Sequence, residues 1–344
     1  MIRQVEFKKI DAKDSKQRLD KWLKRFFPSL SQGKIEKMCR KGELRLDGRR
    51  VSAGTRVEDG QLLRIPPFEV FNKKKQKPQI FSDADNLMIK KSVVMRDEHM
   101  IVINKPAGIA VQGGSGQNNR HIDALSEMLV HEASERPRLL HRLDKETSGL
   151  LVLALSRKFA ELFSKMLLHK QVRKVYWALV AGSPKRSEGF VNYPLIQKKD
   201  NYGVKKMLCI SPDETLPPDA KQAISEYKLI EKLSRRVSWL SLSPITGRTH
   251  QLRAHMARIG CPIIGDTKYG QKKQANEGEG WGVIIDGLKT DKLFLHSRSL
   301  NFKHPITNRN IFLEADTPKH MEEAWKMFGW DLETVPKDPF KSIE

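Results

Sequence analysis

Cysteine is scarce in this sequence. Cys39, Cys209 and Cys261 are three in 344 residues, odd in number and far apart, so neither a disulfide framework nor a thiolate zinc site is signalled, and a reducing compartment fits. Long apolar runs are missing too: nothing approaches the roughly 20 residues that span a bilayer. The opening stretch, MIRQVEFKKIDAKD, has neither a signal peptide's apolar centre nor a transit peptide's shortage of acids. The expected location is the cytoplasm, with no membrane partner. His250 and His255 are five apart rather than four, so they do not share a helix face as paired metal ligands do. Gly113, Gly114 and Gly116 lie close together, but no Gly-Lys-Ser or Gly-Lys-Thr follows, so an ATP-dependent reaction is not expected. No metal and no cofactor are called for.

Acid is short relative to base. The chain has 63 Lys and Arg against 41 Asp and Glu, a net +22, and a field of that sign gathers polyanions, nucleic acid first and a membrane surface second. Hydrophobic content of 39% is enough for ordinary folded domains, and the length suits two. Residues 1–77 hold 22 Lys or Arg against 10 acids, so about +12 of the charge sits in under a quarter of the chain.

That segment reads as a small module, 1–70. Asp14 or Ser15 is placed to cap a helix with Leu19, Trp22, Leu23 and Phe26 on one face, and Pro28 to stop it. Ser31 caps a second helix with Ile35, Met38 and Cys39 inward and Gly42 past its end, while Lys34, Lys37 and Lys41 share another face. Leu44 and Leu46 alternate into Asp47-Gly48, a hairpin signal, and Val51 and the run Leu62 to Ile65 add short strands. Two helices and a small sheet with a basic second helix resemble the S4-like RNA-binding domain, and the three lysines are the candidate RNA contacts. A Lys-rich stretch without period, 71–94, reads as a linker, followed by a large domain, 95–330, and a tail, 331–344.

In the large domain, Met100 to Ile103, Leu150 to Leu155, Val175 to Val180, Ile224 to Ile230, Val237 to Leu242, Leu293 to Leu295 and Ile311 to Leu313 read as strands. Helices fall around Ile122 to Leu129 and Phe159 to Leu167. Many strands with few helices between them predict an α+β fold, a large mixed and mainly antiparallel sheet flanked by helices. Gln197 to Ala220 and Gln271 to Lys289 read as excursions, and GGSG at 113–116 as a mobile loop.

RLLHRLDKETSGLLVLALS, residues 138–156, sets polar and charged residues between two apolar runs. A carboxylate there needs a cation or hydrogen-bond donors, and one held that way at a cleft can serve as a nucleophile, so Asp144 is the first catalytic candidate. The plain alternative is that Asp144 and Thr147 only form a turn closed by Gly149. Tyr176, in a strand between basic residues, is either core or a stacking surface for a base. TGRTHQLRAH is either an ordinary charged helix end or a site in which Arg248 meets phosphate at a helix start and Arg253 reaches a buried carboxylate.

HRLDKETSGLLVLA, RKVYWALVAG, PITGRTHQLRAHM with CPIIGDTKYG, and LFLHSRSLNFKHP stand in the order found in the RluA family of pseudouridine synthases, which this chain resembles from about residue 12 to 316. NKPAGIAVQGGSG precedes these blocks, and the basic module with RIPP at 64–67 makes the chain look most like the RluC type, which acts on large-subunit ribosomal RNA. The resemblance implies a cofactor-free isomerisation of uridine in 23S ribosomal RNA; one active site per chain and a monomer are the default expectation. It puts Asp144 as nucleophile or base, Tyr176 against the target base, Arg253 as partner of the carboxylate, Arg142 in the space left by a flipped nucleotide and Leu295 at the pocket wall. Gln112 and Ser225 depart from the family's usual His and Thr. An RNA-binding assembly factor and an RNA N-glycosidase are the rival readings.

Overall fold

The computed structural model describes residues 4–27, 30–68, 81–113, 120–130, 136–199, 203–270, 292–336 and 338–340. The chain divides into two compact units, Met1–Ile80 and Phe81–Glu344.

In the first unit, strand β1 (Glu6–Lys9) precedes helices α1 (Leu19–Phe26) and α2 (Gln32–Lys41), then strands β2 (Arg45–Leu46), β3 (Arg49–Arg50) and β4 (Leu62–Ile65). The four strands form one sheet in the order β1-β4-β2-β3. The helical faces fall where the apolar spacing puts them, with Leu19, Trp22, Leu23, Ile35, Met38 and Cys39 buried in one core. The Ser31 hydroxyl caps α2 by accepting from the Lys34 N–H, and Gly42 ends it in the left-handed region at φ +71. Asp47 and Gly48, at φ +49 and +76, make the two-residue turn between β2 and β3.

The expected cap of α1 is different. Arg18 stands at the N-cap with no side-chain bond to the helix's free N–H groups, its guanidinium going to the Asp20 carboxylate, and Asp14 turns inward instead to accept from Trp22 Nε1 and Arg25. A buried indole N–H needs an acceptor more than an exposed helix end does. Val51 lies just beyond β3, and β1, whose sequence EFKK is mostly exposed, had no apolar pattern to announce it. Pro28 lies outside the described residues.

The second unit begins earlier than its composition suggested. Residues 71–80 of the predicted linker lie outside the described residues, but α3 (Asp83–Lys91) is a helix capped by Ser82, with Ile89 fully buried. The next elements are β5 (Val93–Arg96), β6 (Met100–Lys105), α4 (Ile122–Leu125), β7 (Arg138–Leu139), β8 (Ser148–Ala154), α5 (Arg157–Leu168) and β9 (Arg173–Ala181). Then come β10 (Glu188–Asn192), β11 (Leu195–Lys199), β12 (Lys205–Cys209), β13 (Ile224–Leu233), β14 (Val237–Pro244), α6 (Gln251–Arg258), β15 (Leu295–Lys303), β16 (Asn310–Glu314) and α7 (Lys319–Phe328).

Ten strands form one sheet along the path β10-β13-β14-β9-β15-β8-β6-β5, with β16 on β15 and β7 on β8. Among the described residues its pairings are antiparallel except β15 with β8, so the fold is the mixed, mainly antiparallel α+β sheet that the strand spacing predicts. The continuous apolar runs of β6 and β8 follow from burial on both faces. Ile101, Ile103, Leu151 and Leu153 point to one core, while Met100, Val102, Leu150 and Val152 point to another under α5. Full burial of such a side chain contributes about 1.5–3 kcal/mol.

The predicted excursion 197–220 is partly regular: β11 and β12 pair as a two-stranded ribbon. The excursion 271–289 lies outside the described residues, as do 114–116 of the glycine-rich loop. Leu332, Val335 and Phe340 pack on the main core rather than trailing from it as a tail. No helix among the described residues is long and apolar enough to cross a membrane.

Candidate active site

The path of the chain at 138–156 explains why a carboxylate sits between two apolar runs. β7 leads in, β8 leads out through the sheet interior, and the connection must turn back at the sheet's end. The Thr147 N–H bonds the Asp144 carbonyl at 3.2 Å to close that turn. Gly149 sits at φ +109 against β15, where a Cβ would lie 2.3 Å from the Ser297 carbonyl oxygen, so only glycine lets β8 start there. Lys105, fully buried at the end of β6, donates to the carbonyls of Pro106, Ile109 and Lys145 at 2.8, 2.9 and 3.1 Å. Burial presses its ammonium down to about 7, and Glu146 and Asp144 pull the other way. Three carbonyl acceptors need three N–H donors, which only the charged form has. The turn is therefore both a turn and a platform.

Asp144 opens into a cleft of about 750 Å³ in the second unit, which Arg142, Tyr176, Arg248, Arg253 and Leu295 also line. Six of the nine residues singled out from the sequence thus meet in one place. Among the described lining residues Asp144 is the sole carboxylate, facing cations at Arg142, Lys170, Lys174, Arg248 and Arg253.

Arg253 Nη1 lies 3.2 Å from Asp144 Oδ2. The same guanidinium holds Asp266 with its other nitrogens, both at 2.7 Å, and Asp266 is fully buried while Asp144 keeps 24% of its side-chain exposure. One carboxylate anchors the arginine and the other faces the cleft. Burial alone lowers the Arg253 pKa, but Asp266 and then Asp144 outweigh it and raise it above the ordinary value. Gly265 precedes the anchor at φ +76, where a Cβ would collide with the Lys292 carbonyl. Asp266 also accepts from the Lys268 and Tyr269 N–H groups. No periodicity marked Asp266: it lies in a turn 13 residues after its partner, and only the Gly-Asp pair hinted at a tight bend.

Tyr176 comes from β9, paired to Leu242 of β14 and Ser297 of β15. Burial pushes its hydroxyl up to about 12, partly offset by the Ser297 hydroxyl, so it is a proton donor throughout the neutral range. Lys174, two residues earlier on the same strand, also lines the cleft. Burial lowers its pKa, and among the described residues its ammonium has no partner.

The loop carrying Arg248 is built on Gln251. Its side-chain oxygen accepts from the Arg248 N–H and the Thr246 hydroxyl, and its amide donates to the Ile224 carbonyl and Ser225. Ser225 also bonds His255 Nδ1, so the serine standing where the family usually has threonine keeps a buried hydroxyl. Arg248 itself is exposed, with Nε donating to the Gln222 carbonyl at 3.0 Å. Arg142 is exposed at the cleft, whereas the neighbouring, half-buried His141 accepts from the Val152 N–H, and desolvation followed by the Lys174 charge presses its pKa down to about 3.

Lys34, Lys37 and Lys41 lie on α2 of the first unit. Lys34 sits half-buried over the Phe68 ring at 5.5 Å, Lys37 is exposed, and Lys41 is 3.7 Å from the exposed Glu43 carboxylate. Among the described residues no group of three or more His, Cys, Asp or Glu side chains gathers in a way that could hold a metal ion.

Comparison with known proteins bears on both units. Residues 99–258 match the family model described as RNA pseudouridylate synthase, and residues 17–63 match the S4 domain. Over 305 residues the chain is 34% identical to ribosomal large subunit pseudouridine synthase C of Rickettsia typhi, covering 88% of this chain and 94% of the relative. The protein of the same name from Vibrio parahaemolyticus is 32% identical over 323 residues, 93% of this chain and 96% of the relative. Among solved structures, human RNA pseudouridylate synthase domain containing 4 superposes with a TM-score of 0.57 at 26% identity, covering 72% of this chain and 98% of that one.

Proposed function

This chain belongs to the RNA pseudouridylate synthase family, and on that premise we propose that it converts uridines of large-subunit ribosomal RNA to pseudouridine, with Asp144 as the reacting carboxylate. The observation that carries the reading is a half-exposed carboxylate held on one oxygen by an arginine that a second, buried carboxylate anchors. Such a group is fixed in direction yet has a free oxygen facing the cleft.

The reaction breaks the bond from C1′ to N1, turns the base, and joins C1′ to C5, after which the C5 proton leaves and N1 gains one. Substrate and product have the same atoms, so no oxidant, reductant or phosphoryl donor enters the balance. Two routes suit Asp144: addition of its free oxygen to C1′, or removal of the C2′ proton to give a glycal. Tyr176 lies against the base and serves as a proton donor, and Leu295 walls the pocket. Both keep a detached uracil from leaving, which separates an isomerase from an N-glycosidase.

A target base inside a stack cannot reach Asp144, so the nucleotide is flipped out and Arg142 takes its space. Arg248 and Lys174 meet the flanking phosphates. The ribbon supports the same partner: Lys198 lies opposite Lys206 and Lys199 opposite Lys205 across β11 and β12, a concentration of positive charge that draws a polyanion. Lys34, Lys37 and Lys41 of the S4 domain add backbone contacts. The working unit in this reading is a monomer in the cytoplasm.

The test is incubation of the protein, and of Asp144→Ala, with protein-free large-subunit rRNA, followed by carbodiimide modification and primer extension. Stops at discrete uridines with the wild type alone are expected. RNA binding by both proteins with no stops from either, on free rRNA and on precursor particles alike, contradicts the reading in favour of an assembly factor.

A further inference from the structure

His250 stands at the N-cap of α6 with φ +51 and ψ +22, in the left-handed region. That conformation is uncommon for a residue other than glycine and persists only where its surroundings enforce it. Here the Gln251 bonds to Thr246 and Arg248 enforce it, and the result is a ring aimed between two groups. Its Nδ1 is 2.9 Å from the Tyr269 hydroxyl oxygen, and its Nε2 is 3.9 Å from Asp144 Oδ1.

Which nitrogen carries the proton follows from the two neighbours. The Tyr269 oxygen already accepts from the Met207 N–H of β12 at 2.9 Å, so its own hydrogen is free to go to Nδ1. Nδ1 is then an acceptor and Nε2 carries the hydrogen. The carboxylate selects the same tautomer, because an Nε2 lone pair facing Oδ1 would be repelled.

We propose that His250 is a positioning residue for Asp144, holding Oδ1 from one side while Arg253 grips Oδ2 from the other, and that Tyr269 fixes the tautomer that lets it do so. The assignment rests on the reading of Asp144 as the reacting carboxylate. At 3.9 Å the contact is electrostatic rather than a direct hydrogen bond, so it aligns Oδ1 without tying it up. Tyr269 also lies 5.3 Å under the Arg253 guanidinium. A shift of the β11–β12 ribbon would therefore reach Asp144 through Met207, Tyr269 and His250.

The titration of the ring runs in the same direction. Burial lowers its pKa first; Asp144 opposes, Arg253 and Lys268 add to the fall, and Asp266 opposes again. A neutral ring is the state with Nδ1 open to Tyr269. A protonated ring would clamp Asp144 as a second cation.

The experiment uses the full-length protein on protein-free large-subunit rRNA, comparing kcat and KM for His250→Asn, Tyr269→Phe and Asp144→Ala, with ring-15N NMR of His250. Asparagine tolerates the left-handed backbone, so His250→Asn keeps the loop, and Tyr269→Phe removes one oxygen. Expected for His250→Asn is a loss of kcat on the order of 10²-fold, the scale of removing one preorganised donor, with KM unchanged. Tyr269→Phe loses less, and its His250 spectrum changes from a single Nε2–H form to a mixture. Wild-type kcat in His250→Asn beside an inactive Asp144→Ala overturns this proposal alone, as does an Nδ1–H tautomer in the wild type. An active Asp144→Ala overturns the underlying reading and this one with it.

Discussion

The positive charges of the S4 domain and those of the cleft are held in opposite ways. Lys37 and Lys41 stand exposed on α2, the latter near the half-exposed Glu43 carboxylate. Arg253 is buried, spanned between Asp266 and Asp144, and carried on a helix whose entry is bonded to β13. Release of counterions from a polyanion depends on how many charges come near it and hardly on their geometry. Making and breaking a glycosidic bond depends on one oxygen being in one place. The same residue types thus serve as field in one unit and as fixture in the other.

The sharpest way to break that contrast is Asp144→Asn, which keeps shape and removes the carboxylate. It is expected to lower kcat on the order of 10³-fold or more, as loss of a reacting group does, while RNA binding measured by filter retention stays intact. Next is Arg253→Lys, which keeps the charge and loses the fork on Asp266. A fall in kcat of about 10²-fold is expected from misplacing Asp144. Arg253→Ala leaves Asp266 buried and unpaired, at a stability cost near the low end of about 3–5 kcal/mol, since two backbone N–H groups still hold that carboxylate. Urea unfolding of both variants separates the two effects.

Smaller effects come from charges that act as field. Lys174→Gln is expected to raise KM several-fold and to lower the slope of log affinity against log salt by about 0.7, one phosphate contact on a single strand. A variant with normal slope makes Lys174 a packing residue. Lys37→Gln with Lys41→Gln should weaken binding with kcat unchanged, and lower the slope by up to about 1.4.

A last effect, on the fold and not on RNA, is stability at high pH. Burial pushes Tyr176 and Tyr269 up to about 12 from 10. Their raised folded values mean that the unfolded chain ionises first, so stability declines as pH rises through about 10 towards 12. Tyr176→Phe is expected to make that decline in thermal midpoint shallower.

Strong periodicity made much of the architecture legible. The runs at 100–103 and 150–154 are buried on both faces and could hardly be anything but interior strands, and α1, α2 and the Asp47-Gly48 turn carry their signals locally. α3 escaped notice because DADNLMIKK offers one fully buried apolar side chain, Ile89, among polar neighbours. The β11–β12 ribbon escaped because Gln, Lys and a run of prolines resemble loop, although cross-strand bonds organise part of it. Asp144, Tyr176 and Arg253 were visible as polar residues set into apolar or structured blocks. Asp266, His250 and Tyr269 act through turns and a left-handed backbone, which carry no period, and their partners become neighbours only when α6 folds against β13 and β14.

Tritium release is the most direct measurement, because joining C1′ to C5 expels the C5 hydrogen of uridine, whereas hydrolysis of the glycosidic bond leaves it in place. Large-subunit rRNA labelled with tritium at C5 of uridine should lose label to water in the presence of the wild-type protein, in step with pseudouridine formed, and keep it with Asp144→Asn. Release of free uracil in place of tritium, or equal release by the variant, would contradict an isomerase that works through Asp144.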